Sequence, residues 1–249
     1  MKPLNALAVL CAALIAPPAA HALDASTVLR HADAYRTGGA TQQQVETEVR
    51  VLHADGSLDK ERRYTVLTQT DHRSLVLMQS PAEKGQKVLM LGDDFWLLMP
   101  ASQRPLRITP LQKLLGDAST GDVATLSWSE DYGGEILAEE RCGDQACLKL
   151  SLQATRKGVS YQRILLWVGK TRHEPLRAEL YVQSDKLAKT AEFRYEKLEK
   201  GTPLISEMLL QDALSQRKLT QVRYLARKPR EVPEAWFNPM FLARSPNLE

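Results

Sequence analysis

The sequence KVLMLGDDFWLLMP, residues 87–100, contains two five-residue segments that are almost entirely apolar, on either side of a Gly-Asp-Asp turn. Turn residues between two short apolar runs predict a β-hairpin. A strand with one face in the core and one in water alternates apolar and polar residues, because successive side chains point to opposite faces. Here both faces are apolar, so we expect both sides of this hairpin to be kept out of water.

The segments around the hairpin have the alternation that it lacks. In QVETEVRVL, residues 44–52, valine and threonine alternate with polar residues, which predicts a strand with one polar face. Roughly eleven segments read as strands, mostly joined by hairpins, and no repeat or low-complexity linker divides them. A flat sheet of that width would expose long edges. We therefore predict a mainly β fold, an incomplete (open) antiparallel β-barrel.

Two segments have helical rather than strand spacing. Residues 26–36 place four apolar side chains on one stripe behind a capping Ser26, and Gly38-Gly39 follows. In TPLQKLLGD, residues 109–117, Thr109 can cap a helix and three leucines share one face. We expect both helices to cover the concave face of the sheet, and strands to resume at ATLSWSEDY, residues 124–132.

The first 22 residues have the features of a secretory signal peptide. Lys2 precedes an apolar run from Leu7 to Ala16, and Ala20-His21-Ala22 fits a small-residue cleavage site. No later stretch approaches the ~20 apolar residues that a membrane-spanning helix requires. We therefore predict a signal peptide over residues 1–22 and a single exported domain over residues 23–249.

The cysteines of the mature chain are consistent with export. Cys142 and Cys147 enclose a four-residue turn between two segments that read as strands. A directly opposed antiparallel pair has the short Cα separation that a disulfide needs, so we predict that these two residues are bridged. A zinc site would need a second pair of ligands, and a redox motif would be C-x-x-C.

Signatures of catalysis are missing from the sequence. It contains no G-x-S-x-G, no H-E-x-x-H and no Gly-rich phosphate loop. Asp93-Asp94 occupy a turn, and the four histidines of the mature chain occur singly. The formal net charge of +3 is nearly balanced, so no polyanionic partner is indicated. We predict no enzymatic activity, no catalytic residue, no metal, no cofactor and no nucleic acid partner.

Two further features leave alternatives open. Met78, Met90, Met99, Phe95 and Trp96 are adaptable side chains that suit a surface for flexible apolar guests, although they also fill ordinary cores. Basic clusters occur beside the hairpin and near the end of the chain, where they either form solvated faces or contact an anionic headgroup or acidic partner. The members of these clusters are Arg104, Arg107 and Lys113, and then Arg217, Lys218, Arg223, Arg227, Lys228 and Arg230.

The segment from Lys84 to Tyr132 resembles the LolA-like family of outer-membrane lipoprotein-sorting proteins. The shared order is an apolar strand, a Gly-Asp turn, a Trp-containing strand ending in Pro, the basic RPLRI, a Leu-rich helix with Gly, and an acidic-aromatic stretch. The closing VPEAWFNPMFLAR, residues 232–244, is similar to that family's tail. The sequence departs from the family at DASTGDVATLSW, residues 117–128, which has smaller residues than relatives have there.

The resemblance implies a LolA/LolB-like open barrel whose apolar cavity shelters acyl chains of a lipid or lipoprotein in the periplasm, on the way to the outer membrane. Such a carrier makes transient membrane contact. One face of the hairpin would pack against the fold, and a lid or an acyl chain would cover the other. Arg104 and Arg107 would contact a headgroup or docking partner. The predicted cavity or lid residues are Val88, Met90, Trp96, Leu98, Leu111, Leu114 and Leu115.

A second hypothesis is an interaction subunit that carries no cargo and docks on an inner-membrane transporter of the RND type, a partner suggested by analogy with the family. The two hypotheses predict different interiors. A void of roughly several hundred Å³ lined by Leu and Met favours the carrier. An interior sealed by helices favours the interaction subunit.

Overall fold

The computed structural model describes residues 24–109, 122, 127–196, 203–213 and 218–244. Within these residues, thirteen strands form one sheet. The strands are β1 (Gln43–His53), β2 (Leu58–Gln69), β3 (Arg73–Met78), β4 (Lys87–Leu91), β5 (Asp94–Leu98), β6 (Leu106–Ile108), β7 (Tyr132–Cys142), β8 (Gln145–Ala154), β9 (Arg163–Gly169), β10 (Pro175–Tyr181), β11 (Leu187–Tyr195), β12 (Ile205–Asp212) and β13 (Lys218–Pro229). The helices are α1 (Ala25–Thr37), α2 (Trp128–Asp131) and two 3₁₀ turns, Glu234–Phe237 and Pro239–Phe241.

The sheet is an antiparallel meander whose first and last strands are neighbours. β1 pairs with β13 along its whole length, β2 to β6 continue on one side, and β12 to β7 continue on the other. β6 and β7 are therefore the two edges, and no pairing between them closes the described sheet. The predicted open antiparallel sheet is confirmed. Its described part has thirteen strands rather than about eleven.

Helix α1 is amphipathic and lies against the sheet. Its buried side chains include Val28, Leu29 and Ala32. The helix ends at Gly38, whose φ of 64° lies in the left-handed region and whose N–H donates to the Ala34 carbonyl. The predicted helix is confirmed, but Ser26 is not its cap. Asp24 occupies the N-cap position, one residue before the first helical residue.

Helix α2 replaces part of a predicted strand. The segment ATLSWSEDY was expected to be extended, yet Trp128–Asp131 forms one helical turn. Its cap explains the difference, because the Ser127 hydroxyl accepts a hydrogen bond from the Glu130 N–H at 3.2 Å. The Asp33 carboxylate of α1 accepts two more, from the N–H groups of Trp128 and Ser129, each at 2.8 Å.

Two apolar clusters lie on opposite faces of the sheet. The inner cluster extends across the described sheet and includes α1, α2 and inward side chains of most strands, such as Val66, Leu150 and Leu166. The outer cluster is smaller and covers only β2 to β5 among the described strands. Its members are Leu67, Leu75, Leu77, Leu89 and Leu98 from the sheet, and Val232, Phe237 and Leu242 from the C-terminal tail.

The predicted disulfide is confirmed, although its geometry differs from the expected one. Cys142 and Cys147 are bonded, with their Cα atoms 5.8 Å apart. They are not directly opposed, since Cys142 pairs with Gln145 across the turn and Cys147 pairs with Glu140. The bridge therefore joins diagonal neighbours of the β7–β8 hairpin.

Within the described ranges, no helix is long and apolar enough to cross a membrane. The same residues contain no group of three His, Cys, Asp or Glu side chains that could hold a metal ion.

Candidate functional site

The hairpin β4–β5 presents different residues to the two clusters. Val88 and Met90 point into the inner cluster, where they are buried together with Phe95. Trp96 and Leu98 point to the other side and belong to the outer cluster. Because the side-chain period of a strand is two, these four predicted cavity residues cannot line one surface.

The C-terminal tail, residues 230–244, keeps the outer face of the hairpin dry. Phe237 and Leu242 are both buried against it. Lys87 is also buried there and donates a hydrogen bond to the Leu242 carbonyl at 3.4 Å, and burial lowers the pKa of its ammonium. A lid or acyl chain was expected to cover one face of the hairpin. For the outer face, the chain's own tail does so.

The inner face of the sheet borders two apolar cavities, of which the smaller lies against β1, β2 and β11 to β13. They have volumes of about 10 and 50 Å³ and share Arg36 and Phe193 in their walls. The larger one lies between α2 and strands β9 to β12. Its walls are formed by Arg36, Asp122, Trp128, Tyr132, Ser160, Tyr161, Ile164, Leu180, Ala191, Phe193 and Met208.

A buried ion pair lies in the wall of the larger cavity. Lys189 Nζ is 2.7 Å from Asp122 Oδ2, and their side chains are 8% and 2% exposed. The Tyr161 hydroxyl donates to the other Asp122 oxygen at 2.6 Å. A buried carboxylate needs such partners, because an unpaired charge away from water is strongly unfavourable. Asp122 is thereby fixed against the inner face of the sheet.

Helix α1 is joined to the cavity walls at its C-terminal end. The Arg36 guanidinium lies 4.4 Å from the centre of the Trp128 ring, and Trp128 contacts Phe193 edge to face at 5.7 Å. Asp33, in the same helix, holds α2 through its carboxylate, and burial raises the pKa of this carboxyl group. Movement of α1 would therefore disturb both cavities.

Helix α1 also makes side-chain contacts with the turn between β9 and β10. His31 and His173 stack with ring centres 5.1 Å apart, and their Nδ1 atoms are 2.9 Å from each other. The Tyr35 hydroxyl donates to the Arg172 carbonyl at 2.9 Å. Burial, and then the nearby His31, lower the pKa of His173.

A polar cavity of about 70 Å³ lies where the turns at the open side of the sheet meet. Arg156 bridges Asp93 of the β4–β5 turn, at 2.7 Å, and Asp131 of α2, at 2.9 Å. His72 Nδ1 is 3.2 Å from the same Asp131 carboxylate. Met90 lines this cavity, so the inner face of the hairpin does reach an internal space.

Two of the remaining predicted site residues, Arg104 and Arg107, lie in and beside β6. Arg107 is exposed and forms an ion pair with Asp94, and Arg104 is exposed in the preceding loop. Leu111, Leu114, Leu115 and Lys113 lie outside the described residues. The roles predicted for all of these residues stay predictions.

Sequence reasoning missed the side chains around the two apolar cavities. Phe193 and Met208 lie on strands β11 and β12, which alternate apolar and polar residues as ordinary one-sided strands do. Ser160 lies in a loop with no motif. The signal that could have found the strand residues is their alternation itself, which gives the inward side of each strand.

These observations define an open antiparallel sheet whose apolar inner face packs against helices α1 and α2. A LolA superfamily protein from Nitrosomonas europaea has the same fold, with 30% identity over 87% of this chain and 98% of its own, and a TM-score of 0.78. A DUF1329 family protein from Desulfovibrio piger is 22% identical and covers 86% of this chain and 95% of its own, with a TM-score of 0.69. A domain from Vibrio parahaemolyticus described as an outer membrane lipoprotein-sorting protein is 21% identical over 88% of this chain and 98% of its own, with a TM-score of 0.68.

The family is therefore established. This chain belongs to the LolA superfamily, as its resemblance at residues 84–132 predicts. A protein-family model described as an uncharacterized protein also matches residues 70–244. No curated protein matches the sequence.

Proposed function

We propose that this protein is a periplasmic carrier that shelters the acyl chains of a lipid or lipoprotein on the way to the outer membrane. The observation that carries the proposal is the apolar inner face of an open sheet, lined by two cavities and covered by α1. Membership of the LolA superfamily and the lipoprotein-sorting description of one structural neighbour support it. We also propose that residues 1–22 are a signal peptide and that the mature domain begins at Leu23.

The energetics of the cargo explain why a carrier is needed. Each methylene buried away from water is worth ~0.8 kcal/mol, so a sixteen-carbon chain is disfavoured in water by roughly 12 kcal/mol. A carrier has to offset most of this free energy and still release the chain. An apolar surface that helices can cover and uncover meets both needs.

Loading requires the inner face to open beyond the described conformation. The two apolar cavities measure about 10 and 50 Å³, whereas pockets for ligands of this size occupy roughly 300–1,000 Å³. Helix α1 contributes Arg36 to both cavities and α2 contributes Trp128 to the larger one, and α1 meets the sheet partly through small side chains, Ala25 and Ala32. We propose that outward movement of α1 merges the cavities into a channel for the acyl chain.

The proposal assigns different roles to the predicted site residues. Val88 and Met90 form part of the inner wall, while Trp96 and Leu98 support that wall from the outer side. Leu111, Leu114 and Leu115 are proposed as covering residues, and Arg104 and Arg107 as contacts for a headgroup or partner. The exposed position of Arg104 and Arg107 on the β6 edge supports the last assignment.

Native mass spectrometry of the protein purified from the periplasm tests the carrier function. The expected result is a fraction of molecules with a bound lipid or acylated peptide, which exchanges with an added fluorescent fatty acid. Protein without extractable lipid and without fatty-acid binding would refute the proposal. Protein sequencing from the N-terminus checks the cleavage before Leu23 in the same sample.

The second hypothesis, an interaction subunit on an RND-type transporter, gains support from the small size of the described cavities. A tightly filled interior is expected for a protein that carries no cargo. The two functions separate in one experiment, in which the protein is cross-linked in cells and the membrane fraction is analysed. Recovery on a transporter without any bound lipid would favour the interaction subunit.

A further inference from the structure

Ser160 has a buried hydroxyl without a hydrogen-bond partner among the described residues. The residue is 9% exposed, and it lies in the loop between β8 and β9. It forms part of the wall of the larger apolar cavity. A serine hydroxyl can donate one hydrogen bond and accept two, and leaving it unpaired away from water is unfavourable. Each buried polar group without a partner calls for a physical explanation, and a ligand atom that reaches this wall would supply one.

The polar groups beside Ser160 are already engaged with one another. Tyr161 and Lys189 hold both oxygens of Asp122, at 2.6 and 2.7 Å. The Tyr132 hydroxyl donates to the Tyr161 carbonyl at 2.9 Å. These contacts explain how the wall tolerates its charges, and they leave the Ser160 hydroxyl available to a molecule in the cavity.

We propose that Ser160 donates a hydrogen bond to the carbonyl oxygen of an ester- or amide-linked acyl chain, whose hydrocarbon part lies between Trp128, Phe193 and Met208. The inference rests on the proposed carrier function and specifies the ligand class as an acyl compound with a neutral carbonyl. A neutral carbonyl suits this wall better than a phosphate, because a buried anion needs a cation of its own, Lys189 is paired with Asp122, and Arg36 is stacked on the Trp128 ring. Ester and amide carbonyls share this chemistry, so a phospholipid and an acylated polypeptide are both possible sources.

The test is a binding comparison between Ser160→Ala and the wild-type mature protein. A fluorescent dye bound to the inner face is displaced with methyl palmitate or with hexadecane, which has no carbonyl. Loss of one neutral hydrogen bond should weaken methyl palmitate binding about fivefold to tenfold and leave hexadecane binding unchanged. The melting temperature of Ser160→Ala should not fall, because the removed hydroxyl has no partner in the free protein.

Thr47→Val is a matched control. The Thr47 hydroxyl is also buried without a partner, on the inner side of β1, but it lies outside the walls of both apolar cavities. This variant should bind both ligands as the wild type does. An N-palmitoylated peptide and dipalmitoyl phosphatidylglycerol are then compared in the same assay, and a Ser160-dependent loss for one of them identifies the amide or the ester as the source.

The outcomes separate this inference from the carrier function. If methyl palmitate binds Ser160→Ala and the wild type equally well, the role of Ser160 is wrong and the carrier function stands. Equal weakening of hexadecane and methyl palmitate, with a lower melting temperature, would show a structural role and also overturn the inference. If neither ligand displaces the dye from the wild type, both proposals fail.

Discussion

The two sides of the sheet differ in how they are kept out of water. The second half of β2 and strands β3 to β5 are buried on both faces, by the inner cluster on one side and by the C-terminal tail on the other. Strands β10 to β12 are buried on the inner face, and polar side chains such as Arg177, Glu192 and Glu207 occupy their outer face. The larger apolar cavity lies against this second set of strands, and the smaller one lies between the two sets, against β1, β2 and β13 as well as β11 and β12.

The comparison teaches that apolar density in the sequence marks the strands that are packed on both faces, and not the strands that border the larger cavity. A strand whose two faces are both covered by packed side chains has neighbouring atoms on every side, so close packing stabilises it most. A strand beside a cavity lacks some of these contacts. The side chains that border a cavity therefore have more room to rearrange around a ligand.

The largest loss of stability is expected when the contact between the C-terminal tail and the β4–β5 hairpin is removed. Phe237→Ala should lower the free energy of unfolding by about 4 kcal/mol, because it removes a buried aromatic ring from the outer cluster. Urea denaturation monitored by tryptophan fluorescence measures this change. Met240→Ala is the control in the same tail, since Met240 is 85% exposed and its removal should cost less than about 0.5 kcal/mol.

If the two tail variants are equally stable, the tail does not pack as described. The outer face of the hairpin would then be free in solution, and the contrast between the two sides of the sheet would disappear. An apolar dye that binds Phe237→Ala and not the wild type would show directly that the tail covers this face.

The next largest loss of stability is expected when the Lys189–Asp122 ion pair beside the larger cavity is broken. Lys189→Met should destabilise the protein by about 3 kcal/mol, because it leaves the buried Asp122 carboxylate without its ammonium partner. Lys170→Met is the matched control. Lys170 forms an equally short ion pair with Glu139, but both side chains are about half exposed, so the loss should be below about 1 kcal/mol. Similar losses in both variants would contradict the burial of Asp122.

The fold could be predicted from the sequence because its signals are local. Alternation in β1, the left-handed Gly38 and the short spacing of Cys142 and Cys147 each specify their own element. The open sheet then follows from the number of strands and their hairpin connections. One clear error, the extended backbone expected at Trp128–Asp131, arose because α2 depends on a distant carboxylate, that of Asp33.

The candidate site could be predicted only in part, because it depends on contacts between distant residues. A strand with two apolar faces shows that both are buried and gives no information about what buries them. The tail, more than 130 residues away from the hairpin, covers the face that contains Trp96 and Leu98. The cavity walls combine Arg36, Ser160 and Met208 from three separate segments, and no local pattern connects these residues.

A smaller loss of stability is expected on the cavity side. Met208→Ala should lower the free energy of unfolding by about 2 kcal/mol, at the low end for a buried methionine, because one side of this side chain already faces a cavity. The variant should also bind the fluorescent fatty acid more tightly, since the cavity becomes larger. Denaturation and fatty-acid titration on the same sample measure the two effects. A loss as large as that of Phe237→Ala would show that both sides of the sheet are equally well packed.

The smallest change in stability should come from a fall in pH. It should affect helix α1 and not the β4–β5 hairpin under the C-terminal tail. His173 faces His31 of α1, and Arg172 and Glu174 flank it in the β9–β10 turn, with Tyr35 of α1 bonded to the Arg172 carbonyl. The pKa of His173 is lowered in the folded state, so its contribution to stability is complete above the unfolded value of about 6.5. As the pH falls from there through the folded-state pKa, the unfolded chain binds the proton more readily and this contribution is lost.

Amide hydrogen exchange at pH 7.5 and 5.5, corrected for intrinsic rates, measures where the protein loosens. Protection of α1 should fall at pH 5.5, whereas protection of β4, under the tail, should not change. His173→Asn removes the titrating ring and tolerates the positive φ of 59° at this position, so its α1 should lose no protection on acidification. His53→Asn, at the exposed end of β1, should behave as the wild type. An equal loss of protection in α1 and β4 would contradict this prediction, because it would show that acid destabilises the whole fold. Protonation of His173 alone should loosen α1 and leave β4, under the C-terminal tail, protected.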